Sequence, residues 1–167
     1  MSDRTFLFPV DDRKSTEKAF LWFINTFVQS RDVIVVLHVI KPIGDVVEEL
    51  GYSVFSSYPV PSRGLVMDNR IAAARKICST YLEYAHVRGL TGVRGSISTH
   101  LKVEEAILNS AIANKATTIV IATRGLGRWR LFLGNSVSGY VSKHSTIPML
   151  IIPPFKEPRR KSQIYMK

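Results

Sequence analysis

The sequence predicts an α/β protein built on a single open five-stranded parallel sheet with helices on both faces. Three observations predict it. Strand-like and helix-like segments alternate along the whole chain, β-α-β-α-β-α-β-α-β, and that alternation is satisfied by parallel strands joined through crossover helices. The run 119–121 is apolar and β-branched, and 32–40 is rich in such residues, as strands buried on both faces are. Finally, residues 118–138, TIVIATRGLGRWRLFLGNSVS, join such a strand to a glycine-punctuated basic loop and then to a helix start.

The elements follow in order. Residues 5–10 read as a first strand ending at Pro9-Val10-Asp11. Ser15-Thr16-Glu17 opens a helix with an acidic first turn, which suits the helix dipole. Phe20, Leu21, Trp22, Phe23, Ile24 and Phe27 make this helix apolar nearly all round, so it should bury most of its girth. Residues 32–40 form a second strand, in which His38 reads as a hydrogen-bonded core histidine. Residues 41–66 are irregular, with Pro42, Gly44, Gly51, Pro59, Pro61 and Gly64; loops of that length usually carry a function or are disordered. Their aromatics, Tyr52, Phe55 and Tyr58, suggest that this segment packs partly on the body.

Apolar residues at helical spacing, Ile71, Ala74, Ile77, Cys78, Tyr81, Leu82 and Ala85, predict a helix over 67–87 ended by Gly89. A strand over 93–101, a helix over 103–114 and a fourth strand over 117–123 follow. A short helix is expected over 136–144, with Ser136 as a natural cap. The fifth strand, 148–152, is stopped by Pro153-Pro154.

With 167 residues, 46% of them hydrophobic, the chain is long enough for one domain with a sizeable core. The domain is expected over 1–155, with 41–66 as a variable insert. Residues 156–167 hold five basic residues against Glu157 and read as a flexible basic tail. The net charge of +10 sits largely in that tail and in Arg124, Arg128 and Arg130 of the loop. A basic tail leaves room for an acidic partner, while nucleic acid is not expected. One cysteine, Cys78, excludes an internal disulfide and fits a reducing, cytoplasmic setting. No run is long enough to span a membrane, and no His or Cys stands at metal-ligand spacing.

A helix N-terminus after a glycine-rich loop presents unpaired N–H groups and a favourable dipole to an anion. Two familiar phosphate loops do not fit. The dinucleotide fingerprint would need glycine where Arg130 stands, and the Walker pattern needs lysine where Asn135 follows Gly134.

Thr123-Arg124-Gly125-Leu126-Gly127 and Ser136-Val137-Ser138 resemble the G-x2-G-x9-G-[ST] signature of ATP-binding universal stress proteins. Phe8-Pro9-Val10-Asp11-Asp12, residues 35–40 and residues 147–152 resemble that family's first, second and last strands, so the resemblance covers about 5–153. It implies an adenine-nucleotide alpha hydrolase-like, Rossmann-like sheet. Two departures stand out: Ala122 takes the first motif glycine, and Asn135 takes the third, with Gly134 one residue early.

The resemblance implies that Pro9, Val10 and Asp11 surround the adenine and ribose, and that Val39 and Ile121 line the base pocket. Ala122, Arg124 and Gly125 would follow the ribose and first phosphates. Asn135, Ser136, Val137 and Ser138 would hold the terminal phosphates. Asp11 has a plainer reading, in which it only turns the chain into the first helix. The ligand expected is ATP, or AMP or ADP, together with Mg2+. A homodimer through the edge strand that opens with Pro148 and ends with Ile152 is also implied.

The function expected is that of a nucleotide-dependent regulatory or stress-response protein. Two rivals stand beside it. One is a slow ATPase or phosphotransferase, for which Asp11 and Ser136 are the candidate groups, although no acid stands beside the loop to orient a water. The other is a dimeric interaction module that has lost nucleotide, which Ala122 and Asn135 would favour. No catalytic residue and no metal site is assigned.

Overall fold

The computed structural model describes residues 4–42, 63–123 and 136–155. Five strands alternate with helices: β1 (Thr5–Pro9), α1 (Lys14–Thr26), β2 (Val33–Ile40), α2 (Arg63–Val87), β3 (Val93–Thr99), α3 (Val103–Ala113), β4 (Thr118–Ala122), α4 (Val137–His144) and β5 (Met149–Ile152). The strands lie in the order β3-β2-β1-β4-β5, and every pair is parallel. The expected fold class is the one observed.

The helices divide between the faces for a topological reason. The chain moves outward from β1 to β2 to β3, then returns across β1 to β4 and β5. Crossovers of one hand place their helices on one face while the chain moves one way and on the other face once it reverses. Accordingly α1 and α2 pack with Phe6, Phe8, Ile34, Val36 and Val120. On the opposite face α3 and α4 pack with Leu7, Val35, Leu37, Ile119 and Ile121. Odd and even strand residues thus serve separate cores, as the two-residue period of a strand requires.

The first core is aromatic. Phe8 meets Phe20 edge-on at 5.1 Å, and Phe20 meets Tyr81 in the same way at 5.1 Å. Such offset pairs add about 0.5–1.5 kcal/mol each beyond the area they bury. Helix α1 departs from expectation here. It buries Thr16, Ala19, Phe20, Phe23 and Ile24 as one stripe, while Leu21 and Trp22 are half-buried flanks and Phe27, just past its end, is 40% exposed. One sheet face covers only one side of a helix, so apolar flanks widen the stripe rather than close it. Trp22 is covered in part by Phe155, 6.2 Å away.

Helix α2 starts at Arg63, so the last residues of the segment expected to be irregular, 63–66, are helical. The rest of that segment from 43 to 62, and the tail 156–167, lie outside the described residues. At the other end Gly89 takes φ +80. Gly89 N–H donates to His86 C=O at 2.8 Å and Leu90 N–H to Ala85 C=O at 3.0 Å, the Schellman stop that the sequence suggested. Gly92 is required by contact: an added Cβ would lie 2.5 Å from the Asp32 carbonyl oxygen. Asp32, 5% exposed, holds Arg4 through both carboxylate oxygens at 2.9 and 2.6 Å and so ties the start of β1 to the start of β2.

Candidate functional site

Parallel strands and their crossover helices set a polarity. Each described helix begins at the edge of the sheet where strands end, so the positive dipole ends gather there. The order of strands reverses between β1 and β4. In open α/β sheets that switch point is where a crevice forms.

The backbone opens this crevice for a reason visible in the residues. Thr117 N–H donates to Thr5 C=O, whereas Val33 N–H donates to Arg4 C=O. Odd residues of β1 therefore turn their backbone groups toward β4 and even residues toward β2. Pro9 is odd and has no N–H to give. The registered β1–β4 pairs are Phe6 with Thr118 and Leu7 with Ile119, and the two strands separate before Pro9.

The β2 side is arranged differently. Val10 N–H donates to Leu37 C=O at 2.8 Å, while His100 N–H donates to Ile40 C=O at 3.0 Å. Odd residues of β2 thus address β1 and even residues address β3. The β1–β2 register ends at Pro9 with Leu37, whereas β2 runs on to Ile40. Val39 therefore overhangs β1, with its N–H and C=O directed over the crevice. Its side chain packs on the α3–α4 face together with Ile121 and Val137.

The candidate residues fall on both faces. Val39, Ile121 and Val137 share the α3–α4 face, and Val10 and Ala122 share the α1–α2 face. Ala122 lies in β4 with extended backbone, and its methyl group turns away from Val39 and Ile121. Alanine at this motif position consequently requires no positive φ and does not fill the α3–α4 side of the crevice. Next to it, Thr123 is 5% exposed, and its N–H donates to Ile152 C=O at 2.9 Å.

Ser136 acts as the cap expected of it. With φ −98 and ψ 147 it stands outside the helix, and its Oγ accepts the Gly139 N–H at 3.1 Å. The Ser138 hydroxyl lies 3.5 Å from that of Ser136. Two hydroxyls and the first turn of α4 are thereby brought to the carboxyl end of β4. Arg124, Gly125 and Asn135 lie outside the described residues.

Asp11 has a local role. Its Oδ1 accepts the Arg13 N–H at 3.1 Å and the Thr16 hydroxyl at 2.6 Å, and Arg13 stands 3.4 Å from Oδ2. This carboxylate turns the chain into α1, as its plainer reading has it, by tying the Arg13 N–H to the Thr16 side chain in the first turn. Its backbone C=O accepts the Tyr81 hydroxyl at 2.9 Å, and the Val10 C=O lies 2.9 Å from His38 Nδ1. Neither contact was expected from the sequence, although His38 was read as hydrogen-bonded. Burial pushes the Tyr81 phenol up from its ordinary value, and the Asp11 and Glu17 carboxylates add to that.

A cleft of about 220 Å³ lies beside Asp11 on the α1–α2 face, lined also by Asp12, Glu17, Lys76, Tyr81 and Tyr84. Glu17 accepts the Tyr84 hydroxyl there at 2.8 Å. Among the described residues no group of three or more His, Cys, Asp or Glu is placed to hold a metal ion. No described helix is long and apolar enough to cross a membrane.

The universal stress protein family model matches residues 4–153. No curated protein matches the chain. Among solved structures the chain is similar to the hypothetical protein MJ0577, with 19% identity over 92% of this chain and 98% of that one, at a TM-score of 0.69. It is similar to a universal stress protein in complex with cAMP, with 15% identity over 93% and 100% of the two chains and a TM-score of 0.65. It is also similar to the universal stress protein from Archaeoglobus fulgidus in complex with dAMP, with 15% identity over 90% and 97% and a TM-score of 0.56. At these identities the structural likeness speaks for the fold, and the family model, spanning nearly the whole chain, speaks for descent: this chain belongs to the universal stress protein family.

Proposed function

We propose that the protein is an adenine-nucleotide-binding regulatory protein of the ATP-binding type. One observation carries the reading: the Val39 overhang, the gap opened at Pro9 and the Ser136-capped start of α4 all lie on the carboxyl-end side of the sheet, whose strand order reverses between β1 and β4. A peptide N–H beside a C=O matches the edge of adenine, whose N1 accepts and whose N6 donates. Guanine offers the reverse pattern and would leave both groups unpaired, a mismatch of the kind that costs about 1–3 kcal/mol per buried group. The side chains of Val39 and Ile121, on one face of the sheet, supply an apolar wall for the base.

Phosphates would extend toward Ser136, Val137 and Ser138, where hydroxyls and helix N–H groups favour anions. Gly125, Arg124 and Asn135 complete the cradle in this reading, and Mg2+ would arrive with the nucleotide. The binding of cAMP and dAMP by two similar proteins supports an adenine ligand. Isothermal calorimetry with ATP and Mg2+ tests the proposal, with GTP as the comparison. A micromolar ATP site, worth about −8 kcal/mol, and a much weaker response to GTP are expected. If millimolar ATP gives neither heat nor thermal shift, the protein is an interaction module instead.

A further inference from the structure

We propose that His38 is a positioning residue of the crevice, and that its side chain keeps the Val39 peptide groups available by occupying the carbonyl that would otherwise pair with them. The proposal rests on the nucleotide reading above only for its consequence in binding; the backbone arrangement stands without it.

In a parallel ladder each rung is followed by its complement. Since Val10 N–H donates to Leu37 C=O at 2.8 Å, the next rung would run from Val39 N–H to Val10 C=O. The register stops one step short of it. His38 Nδ1 lies 2.9 Å from the Val10 oxygen instead. A carbonyl only accepts, so Nδ1 carries the hydrogen and donates. The imidazole satisfies a carbonyl whose residue is 6% exposed and which would otherwise draw the Val39 N–H into the sheet.

A second contact fixes the same turn of chain. Tyr81, 4% exposed, donates its hydroxyl to the Asp11 carbonyl at 2.9 Å. Two successive carbonyls at the end of β1 are thus held by side chains from β2 and α2. The strand end is pinned in the parted position, and the negative ends of both carbonyl dipoles are covered beside a crevice read as taking an anion. No strand neighbour meets Val39 N–H and C=O on the β1 side among the described residues.

The test uses the full chain, with His38→Leu, which keeps the bulk and removes the donor, and His38→Asn, whose amide nitrogen stands where Nδ1 stood. Amide hydrogen exchange of Val39 is followed by NMR without ligand, and ATP affinity is measured by calorimetry. In the unmodified protein Val39 is expected to exchange at least tenfold faster than Leu37. His38→Leu should raise Val39 protection tenfold or more as the rung closes and should weaken ATP at least tenfold, while His38→Asn should restore both toward the original. A purely structural histidine would lower stability without raising protection at Val39. Equal Val39 protection in the unmodified and His38→Leu proteins overturns the proposal whatever ATP does. If the unmodified chain binds no nucleotide, the nucleotide reading fails, and the exchange rates alone decide the role of His38.

Discussion

The Tyr81 hydroxyl donates to the backbone carbonyl of Asp11 at 2.9 Å across seventy residues of sequence, joining the middle of α2 to the turn that leaves β1. The ring of Tyr81 packs edge-on against Phe20 at 5.1 Å, so a single side chain belongs both to the aromatic core and to the rim of the crevice. Tyr81→Phe keeps the ring and strands the carbonyl. It is expected to cost about 1 kcal/mol, the order of one lost hydrogen bond at a half-buried acceptor, read as a lower urea midpoint with unchanged slope.

The same residue sets an alkaline limit. Burial, with Asp11 and Glu17 contributing, raises the folded-state pKa of Tyr81 above the unfolded value of about 10. The folded protein then holds the phenolic proton more tightly than the unfolded chain. This contribution is complete below the unfolded pKa and is lost as pH rises above about 10, at up to about 1.4 kcal/mol per pH unit. Urea titrations from pH 8 to 11 should show a flat region followed by a decline, and Tyr81→Phe should flatten the decline. An equal decline in both proteins would assign it to other groups.

The order and type of the elements were legible because the local signals agreed with the final packing. Gly89, Ser136 and the apolar runs each say in isolation what they do in the fold. What was not legible depended on distant partners. Asp11 could be read equally as a ligand contact or as a turn residue, and only Thr16 and the Arg13 N–H, both engaged in the structure, assign its local role. Composition alone overstates how much of α1 is buried, because it does not show how much of a helix a single sheet face covers. The consequence of Ala122 turned on which face its methyl group takes, which follows from register rather than from residue type.

Lys115 offers a test of backbone strain. It follows α3 with φ 52, the sole non-glycine residue with positive φ among those described. Lys115 N–H donates to Ile112 C=O at 3.0 Å and Ala116 N–H to Ala111 C=O at 2.9 Å, the same closure that Gly89 gives α2. A side chain in this conformation costs about 1–2 kcal/mol, partly offset on substitution by the larger unfolded-state entropy of glycine. Lys115→Gly is expected to stabilise the protein by about 0.5–1 kcal/mol and raise the melting temperature by a few degrees. Gly89→Ala, by the same reasoning, should lower it.

Ser136 couples helix stability to the proposed site. Its Oγ accepts the Gly139 N–H at 3.1 Å, and Ser136→Ala should cost about 1 kcal/mol, as loss of such a cap does. Ser136→Asp keeps an acceptor and restores most of that stability, yet places a carboxylate where the reading puts phosphate. The two variants should separate in calorimetry: Ser136→Ala weakens ATP modestly, and Ser136→Asp weakens it far more despite the better cap. Equal ATP affinity in the two would remove α4 from the phosphate path.

The fifth strand bears on assembly. It is an edge strand, and its rungs to β4 run from Ile119 N–H to Pro148 C=O and from Thr123 N–H to Ile152 C=O, both 2.9 Å. Even residues therefore face β4, and Met149 and Ile151 direct their N–H and C=O groups outward. An edge of this kind is a template for pairing that proteins cover or block. A two-fold mate presenting the same edge would cover it and would stop growth at two chains, which is the basis for proposing a homodimer here. Ile151→Pro removes an outward donor while sparing the β4 rungs, since proline is tolerated where the N–H does not serve the sheet. The variant is expected to sediment as a monomer at tens of micromolar, where the unmodified chain is expected to sediment as a dimer, and to keep a melting transition within a few degrees of the original once both are compared as monomers. A dimer that persists in folded Ile151→Pro would place the contact elsewhere on the surface, and an unmodified chain that is monomeric at that concentration would leave the β5 edge without a partner copy.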